Sequence, residues 1–204
     1  MLEVIDRLER FYGALPPPPA DPFALYVWEV LGVRTTAVRR DAALNALRRI
    51  PALTPDSMGK LARAKLESAV ALAGPYREER LRALTSGVAA FKRHRDVSIR
   101  LRGDIAVARE ALALLPHLTA ISGQRLLLFA GGHALLTDDP HLQRVLARLQ
   151  LDAAAALTQL GGVLTAIQRA ALYLSHHGNA TCVEVDPHCH FCPLRSGCPF
   201  PESA

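Results

Sequence analysis

Apolar positions along the chain recur at helical rather than strand spacing. Leu2, Ile5, Leu8, Phe11 and Tyr12 fall on one face of a first helix, with charged residues between them. The run PPPPADP over 16–22 ends that helix and forms a stiff connector. Pro22 then opens FALYVWEVLG as a second helix, in the first-turn position where a missing N–H costs nothing. Further helices are predicted at about 37–50, 55–73, 77–96 and 104–115, with Thr54-Pro55 and Gly103-Asp104 as punctuation. The segment LPHLTAISGQRLLLFAGG predicts two short helices around a tight link. Asp139-Pro140 opens another helix, the aspartate capping and the proline taking the first helical position. Gly161-Gly162 separates the next pair, and Gly178 is expected to end the last long helix. No segment alternates like a strand and no internal repeat is visible, so an all-α fold is expected, with an irregular tail after Thr181.

A chain of 204 residues can form one large domain or two small lobes, each with a core. The formal charge is +5, which makes a polyanionic partner plausible. The cations concentrate in residues 51–100, from Lys60 to Arg100, whereas 151–204 hold only Arg169 and Arg195. The most apolar stretch, LDAAAALTQLGGVLTAIQRAALYL, is interrupted by Asp152, Gln159, Gly161, Gly162, Gln168 and Arg169 and reads as core helices, not a membrane span. The N-terminus reads as an amphipathic helix rather than a secretory signal, and a cytoplasmic setting is expected.

All four cysteines lie within 17 residues, as Cys182-x6-Cys189-x2-Cys192-x5-Cys198. Clustered cysteines in such a chain point to a metal centre rather than disulfides. Thiolates are the usual ligands of iron–sulfur clusters, and short unequal spacers let one loop wrap a [4Fe–4S] cubane. Structural zinc is the rival; it usually shows two C-x2-C knuckles, and only Cys189–Cys192 forms one, with His188 and His190 nearby.

This spacing, preceded by His177-Gly178 and Thr181, resembles the cluster motif of the endonuclease III family. Further likenesses follow in order upstream: Pro22-Phe23 and LYVWEVLGVRTT resemble the first barrel helix, and Gly74-Pro75-Tyr76 the Gly-aromatic turn. LPHLTAISGQRLLLF resembles the helix-hairpin-helix, and DDPHLQRVLARL the segment carrying the catalytic aspartate. The resemblance implies an all-α, two-lobed helix-hairpin-helix DNA glycosylase fold. A helical barrel would span residues 23–136; an iron–sulfur lobe would combine 1–22 with 137–204, its cluster loop over 182–198. Double-stranded DNA, damaged or abasic, would bind across a cleft between them, and the protein would act as a monomer, nucleoid-associated when bound.

The same resemblance assigns roles by position: Asp139 as the catalytic carboxylate, Arg34 and Pro75 with Tyr76 in the DNA gap, and Cys182, Cys189, Cys192 and Cys198 as cluster ligands. The DNA-binding hairpin would contain His117, Thr119 and Ile121. The chain departs from the family there. Ile121 stands where bifunctional members carry the lysine that forms a Schiff base, and no lysine follows Lys92. His117 and Thr119 replace hairpin glycines, and Glu184 and Asp186 make the first cluster loop acidic where the family's is basic. The basic run KRHRDVSIRLRG over 92–103 is a compensating DNA contact or a solvated face, and Tyr26 and Trp28 are expected in the core. The function implied is a base-excision glycosylase for damaged bases, oxidised pyrimidines by resemblance, without efficient lyase activity. The alternatives are a non-catalytic protein that recognises distorted or abasic DNA, and a zinc-stabilised helical adaptor.

Overall fold

The computed structural model describes residues 1–49 and 53–200, and among them every regular element is helical. In chain order these are α1 (Leu2–Tyr12), α2 (Pro22–Gly32), α3 (Ala37–Arg48), α4 (Pro55–Gly59), α5 (Arg63–Ala71), α6 (Arg77–Arg93), α7 (Val97–Arg100) and α8 (Ile105–Ala113). There follow α9 (Ala120–Arg125), which runs on into a π-helical turn (Leu126–Gly131), then α10 (Pro140–Arg148), α11 (Ala153–Gln159) and α12 (Leu164–Ala180). Two 3-10 turns, Cys189–Phe191 and Arg195–Gly197, punctuate the tail. No described helix is long and apolar enough to cross a membrane.

The chain forms two compact units: Pro18–Gly132, and Met1–Pro17 together with His133–Ala204. In the first, α2 is the central helix. Asp21 caps it, its carboxylate accepting from Ala24 N–H at 2.8 Å, and Leu25, Tyr26, Val27 and Leu31 are fully buried. The helices α3 and α6 and the π turn pack around it. Tyr26 enters α6 at Gly87, where a Cβ would overlap the phenol ring. Its hydroxyl then lies 2.9 Å from both Ala83 O and Pro116 O, tying α6 to the end of α8. Trp28 is half-buried with the Arg40 guanidinium 3.8 Å over its ring, so both aromatics serve packing as expected.

The second unit pairs α12 with α10 and α1. Gly178 does not end α12, which runs to Ala180. It lies inside the helix because a Cβ there would overlap the backbone of His141 on α10, so the glycine serves close approach rather than termination. Other boundaries also differ from expectation. The predicted helix at 55–73 is α4 and α5, because α4 packs on α6 while α5 reaches both α3 and α6. The predicted helix at 77–96 stops at Arg93 and restarts as α7 after Asp96. Of the two short helices expected in 115–132 only α9 with its π turn forms; the hairpin's other arm is α8. The predicted end of α3 at residue 50 lies outside the described residues.

Substituting Gly178→Ala should cost about 1–3 kcal/mol, since α10 and α12 must separate. Gly197→Ala, with nothing within 4 Å of the new methyl, is the control and should be near neutral. Urea unfolding of both variants checks the contrast.

Candidate functional site

Each unit holds part of the residue set expected from sequence. In Pro18–Gly132, α8 and α9 form a helical hairpin whose link carries His117 and Thr119. His117 adopts φ +59, the left-handed conformation a hairpin glycine would take, so the turn survives the substitution at the cost of backbone strain. Thr119 caps α9, accepting from Ser122 N–H at 3.0 Å. Ile121 lies in the first turn of α9, half-buried, and offers no nucleophile.

Sequence reasoning missed Glu29. It is buried on α2 at 6% exposure and is the one acid in that helix. Ser122 Oγ donates to its Oε2 at 2.8 Å, and Arg125 Nη1 stands 3.5 Å from Oε1. Burial pushes the Glu29 carboxyl above its usual range, and the Arg125 charge and the Ser122 bond offset part of the shift. A lone acid amid the apolar run LYVWEVL was the available signal.

Arg34, Pro75 and Tyr76 are exposed on two neighbouring turns of the same unit. Arg34 and Tyr76 both have left-handed backbones, at φ +48 and +69, and the guanidinium lies 5.2 Å over the phenol ring. Arg80, 2% exposed, joins the turns from below. Its Nη2 donates to Val33 O at 2.5 Å and its Nη1 to Gly74 O at 3.3 Å and to Pro75 O. Thr35 Oγ1 donates to Ala73 O at 2.6 Å, a second tie between the same turns.

In the other unit Asp139 is the N-cap of α10. It is 3% exposed and its Oδ1 accepts from His141 N–H at 2.9 Å, while its neighbour Asp138 is exposed. The capping residue is thus also a carboxylate held in one orientation with little water around it.

Two arginines of α10 hold the cysteine tail. Arg144 donates to Cys182 O at 2.8 Å and Gly178 O at 2.5 Å; Arg148 donates to Val183 O at 2.8 Å and Glu184 O at 3.2 Å, and lies 4.1 Å over the Phe200 ring. All four cysteines line one pocket whose other walls include Val145, Leu149, Pro187 and Leu194. Among the described residues no three His, Cys, Asp or Glu groups are placed to hold a single metal ion. The donor set fits a larger group that accepts hydrogen bonds at sulfur. Arg148 Nη1 lies 3.2 Å from Cys182 Sγ, Leu194 N–H 3.4 Å and His177 Nε2 3.6 Å from Cys192 Sγ. Burial first, then the neighbouring cysteines, push the Cys192 and Cys198 thiols up, so bare thiolates there lack compensating charge. Burial holds His177 down to about 4, so the ring is neutral, and the Tyr12 hydroxyl stands 2.7 Å from its Nδ1 and 2.6 Å from Thr181 Oγ1. His188 and His190, the residues a zinc site could add, are exposed on the tail.

No protein-family model matches the chain, and no curated protein matches it in sequence. Solved structures do match it in shape. A thermostable thymine-DNA glycosylase superposes with a TM-score of 0.73 at 16% identity, over 100% of this chain and 95% of that one. A non-covalent endonuclease III–DNA complex gives 0.69 at 19% identity, over 98% and 94%. A trapped covalent endonuclease III–DNA intermediate gives 0.69 at 18%, over 98% and 95%. The chain therefore has the all-α fold of helix-hairpin-helix DNA glycosylases. More specifically, it is the fold of endonuclease III, along nearly the whole length of those structures.

The raised carboxyl of Glu29 gives a pH prediction. A group that binds its proton more tightly in the fold than in the unfolded chain contributes stability below its unfolded value, and that contribution is lost as pH rises. From about pH 4.5 upward, the stability of Glu29→Gln relative to the parent chain should therefore rise. Urea titrations across that range would show a flat difference if Glu29 ionised freely.

Proposed function

We propose that this protein is a base-excision DNA glycosylase that hydrolyses the N-glycosidic bond of a damaged base and lacks Schiff-base lyase activity. The observation that carries the reading is Asp139: a carboxylate buried at 3% exposure and fixed at the head of α10, in a chain with the fold of DNA glycosylases. Reaching the bond requires the nucleotide to leave the duplex, at about a few kcal/mol. As the bond breaks, positive charge grows on the sugar and the Asp139 carboxylate stabilises it; water adds to the sugar and the base leaves with a proton. Oxidised pyrimidines are the substrate class proposed, and double-stranded DNA the partner. Arg34, Pro75 and Tyr76 would occupy the gap, and the hairpin link at His117 and Thr119 would face a phosphate.

A [4Fe–4S] cluster on Cys182, Cys189, Cys192 and Cys198 is part of the same proposal. Bound there, it would supply charge compensation and a fixed scaffold for the tail. This chain's residues face the sulfurs: Arg148 and Leu194 N–H direct donors at them, and His177 Nε2 lies beside Cys192 Sγ. The second reading, a non-catalytic binder of distorted or abasic DNA, draws support from Ile121, which offers no nucleophile in the hairpin.

Excision from duplexes with oxidised pyrimidines should yield strand breaks only after hot alkali, and borohydride should trap no covalent adduct. Asp139→Asn should lower the excision rate by about 100-fold or more while leaving DNA binding nearly intact. Cluster-loaded protein that binds the duplex but releases no base would favour the second reading. Purified protein should carry iron and sulfide with a broad visible absorption band; Cys192→Ser should lose both, and zinc in their place would refute the cluster.

A further inference from the structure

We propose that Tyr12 is a positioning residue for the cluster: through His177 it aims a ring N–H at Cys192 Sγ and so raises the reduction potential of a cluster bound there. The inference rests on the cluster reading above and adds to it a redox poise governed from the N-terminal helix.

The ring of His177 lies at the centre of the arrangement. It is 1% exposed on α12, with Tyr12 Oη 2.7 Å from Nδ1 and Cys192 Sγ 3.6 Å from Nε2. Tyr12 Oη also lies 2.6 Å from Thr181 Oγ1, so a hydroxyl with a single proton stands between two partners. With Cys192 as a thiolate ligand, one assignment of these protons leaves no two lone pairs facing each other. A thiolate sulfur only accepts, so Nε2 carries the hydrogen. In the neutral ring Nδ1 is then the acceptor, Tyr12 donates to it, and Thr181 donates to Tyr12. The opposite sequence, from Nδ1–H to Tyr12 to Thr181, would turn a nitrogen lone pair on the sulfur.

Tyr12 ends α1, and its place is fixed from outside this bond. Tyr173 Oη, on α12, donates to Gly13 O at 2.9 Å and accepts from Leu15 N–H at 3.3 Å, clamping the chain directly after Tyr12. Arg169 on α12 also pairs with Asp6 and Glu9 of α1, so docking of that helix does not depend on the Tyr12 bond alone. His177 in turn holds the start of the cysteine tail: its carbonyl accepts from Thr181 N–H at 2.9 Å and from Cys182 N–H at 2.8 Å. One residue thus meets the first and third cysteines, and Tyr12 with Thr181 decides which way its ring faces. A hydrogen bond to a ligand sulfur stabilises the more negative, reduced state over the oxidised one, and so raises the potential. Leu194 N–H, 3.4 Å from the same sulfur, is a backbone donor; the His177 ring is the side-chain donor that Tyr12 orients.

The test is protein-film voltammetry of the cluster-loaded protein without DNA, beside urea unfolding and nitrogen NMR of histidine-labelled protein. At a fixed applied potential the ratio of reduced to oxidised cluster should be about threefold lower in Tyr12→Phe than in the parent chain, the size of one neutral hydrogen bond. Tyr173→Phe removes the clamp on Gly13 but no bond to the His177 ring; it should lose stability and keep the parent potential. NMR should place hydrogen on Nε2 of His177 in the loaded parent, a readout that stands even where Tyr12→Phe fails to take up its cluster. A Tyr12→Phe potential equal to the parent's marks Tyr12 as a packing residue and overturns the inference, as does an equal drop in Tyr12→Phe and Tyr173→Phe. Nε2 without hydrogen overturns it as well. All three of these results leave the cluster reading standing, whereas parent protein that carries zinc, or neither iron nor sulfide, removes both.

Discussion

Backbone carbonyls left over where helices stop are the constraint around which both units are organised. A chain of short helices has many such ends, and a buried carbonyl without a donor costs about 1–3 kcal/mol. Arginine forks answer it here, from buried Arg80 to exposed Arg102. Arg80 serves three carbonyls on two turns, Arg144 serves Cys182 and Gly178, and Arg148 serves Val183 and Glu184. Arg102 does the same for Ala130 at the end of the π turn. The Gly74–Pro75 turn and the cysteine tail are thus held by charged side chains of neighbouring helices, each of which supplies several strong donors from one residue.

That use of arginine changes the meaning of the basic composition. Arg80, Arg144 and Arg148 are internal ties, while Arg63, Arg100 and Lys92 stand beside Glu67, Glu110 and Asp56. The formal +5 is therefore not a measure of charge available to a polyanion. The loop between Cys182 and Cys189 is acidic and exposed at Glu184 and Asp186.

Left-handed backbones occur at Arg34, Tyr76 and His117, residues expected from sequence to meet DNA, and also at Gln150 and Asp186. In His117 the strain preserves a turn that glycine would make freely; in Arg34 and Tyr76 it aims two side chains at one point. The carboxylates follow the opposite rule. Asp139 and Glu29 are both buried, but Asp139 is satisfied as a helix cap, whereas Glu29 depends on Ser122 and Arg125 from the hairpin.

The helices, the capping role of Asp139, the convergence of four cysteines and the absence of a lysine in the hairpin were legible in the sequence, because each depends on local spacing or residue type. Periodicity reports one face at a time, so it ran 55–73 together where packing against α6 and α3 demands two helices. Gly178 looked like a terminator because a glycine's role as a stop or as a close approach differs only in what passes beside it, here His141. Arg80 looked like one cation in a basic run, and Glu29 like a stray acid in an apolar helix. Burial decided both, and burial depends on which distant segments meet, which no window along the chain contains. Residue types and their spacing determined the helices and the chemistry available; only the tertiary structure decided which charges face solvent and which hold the protein together.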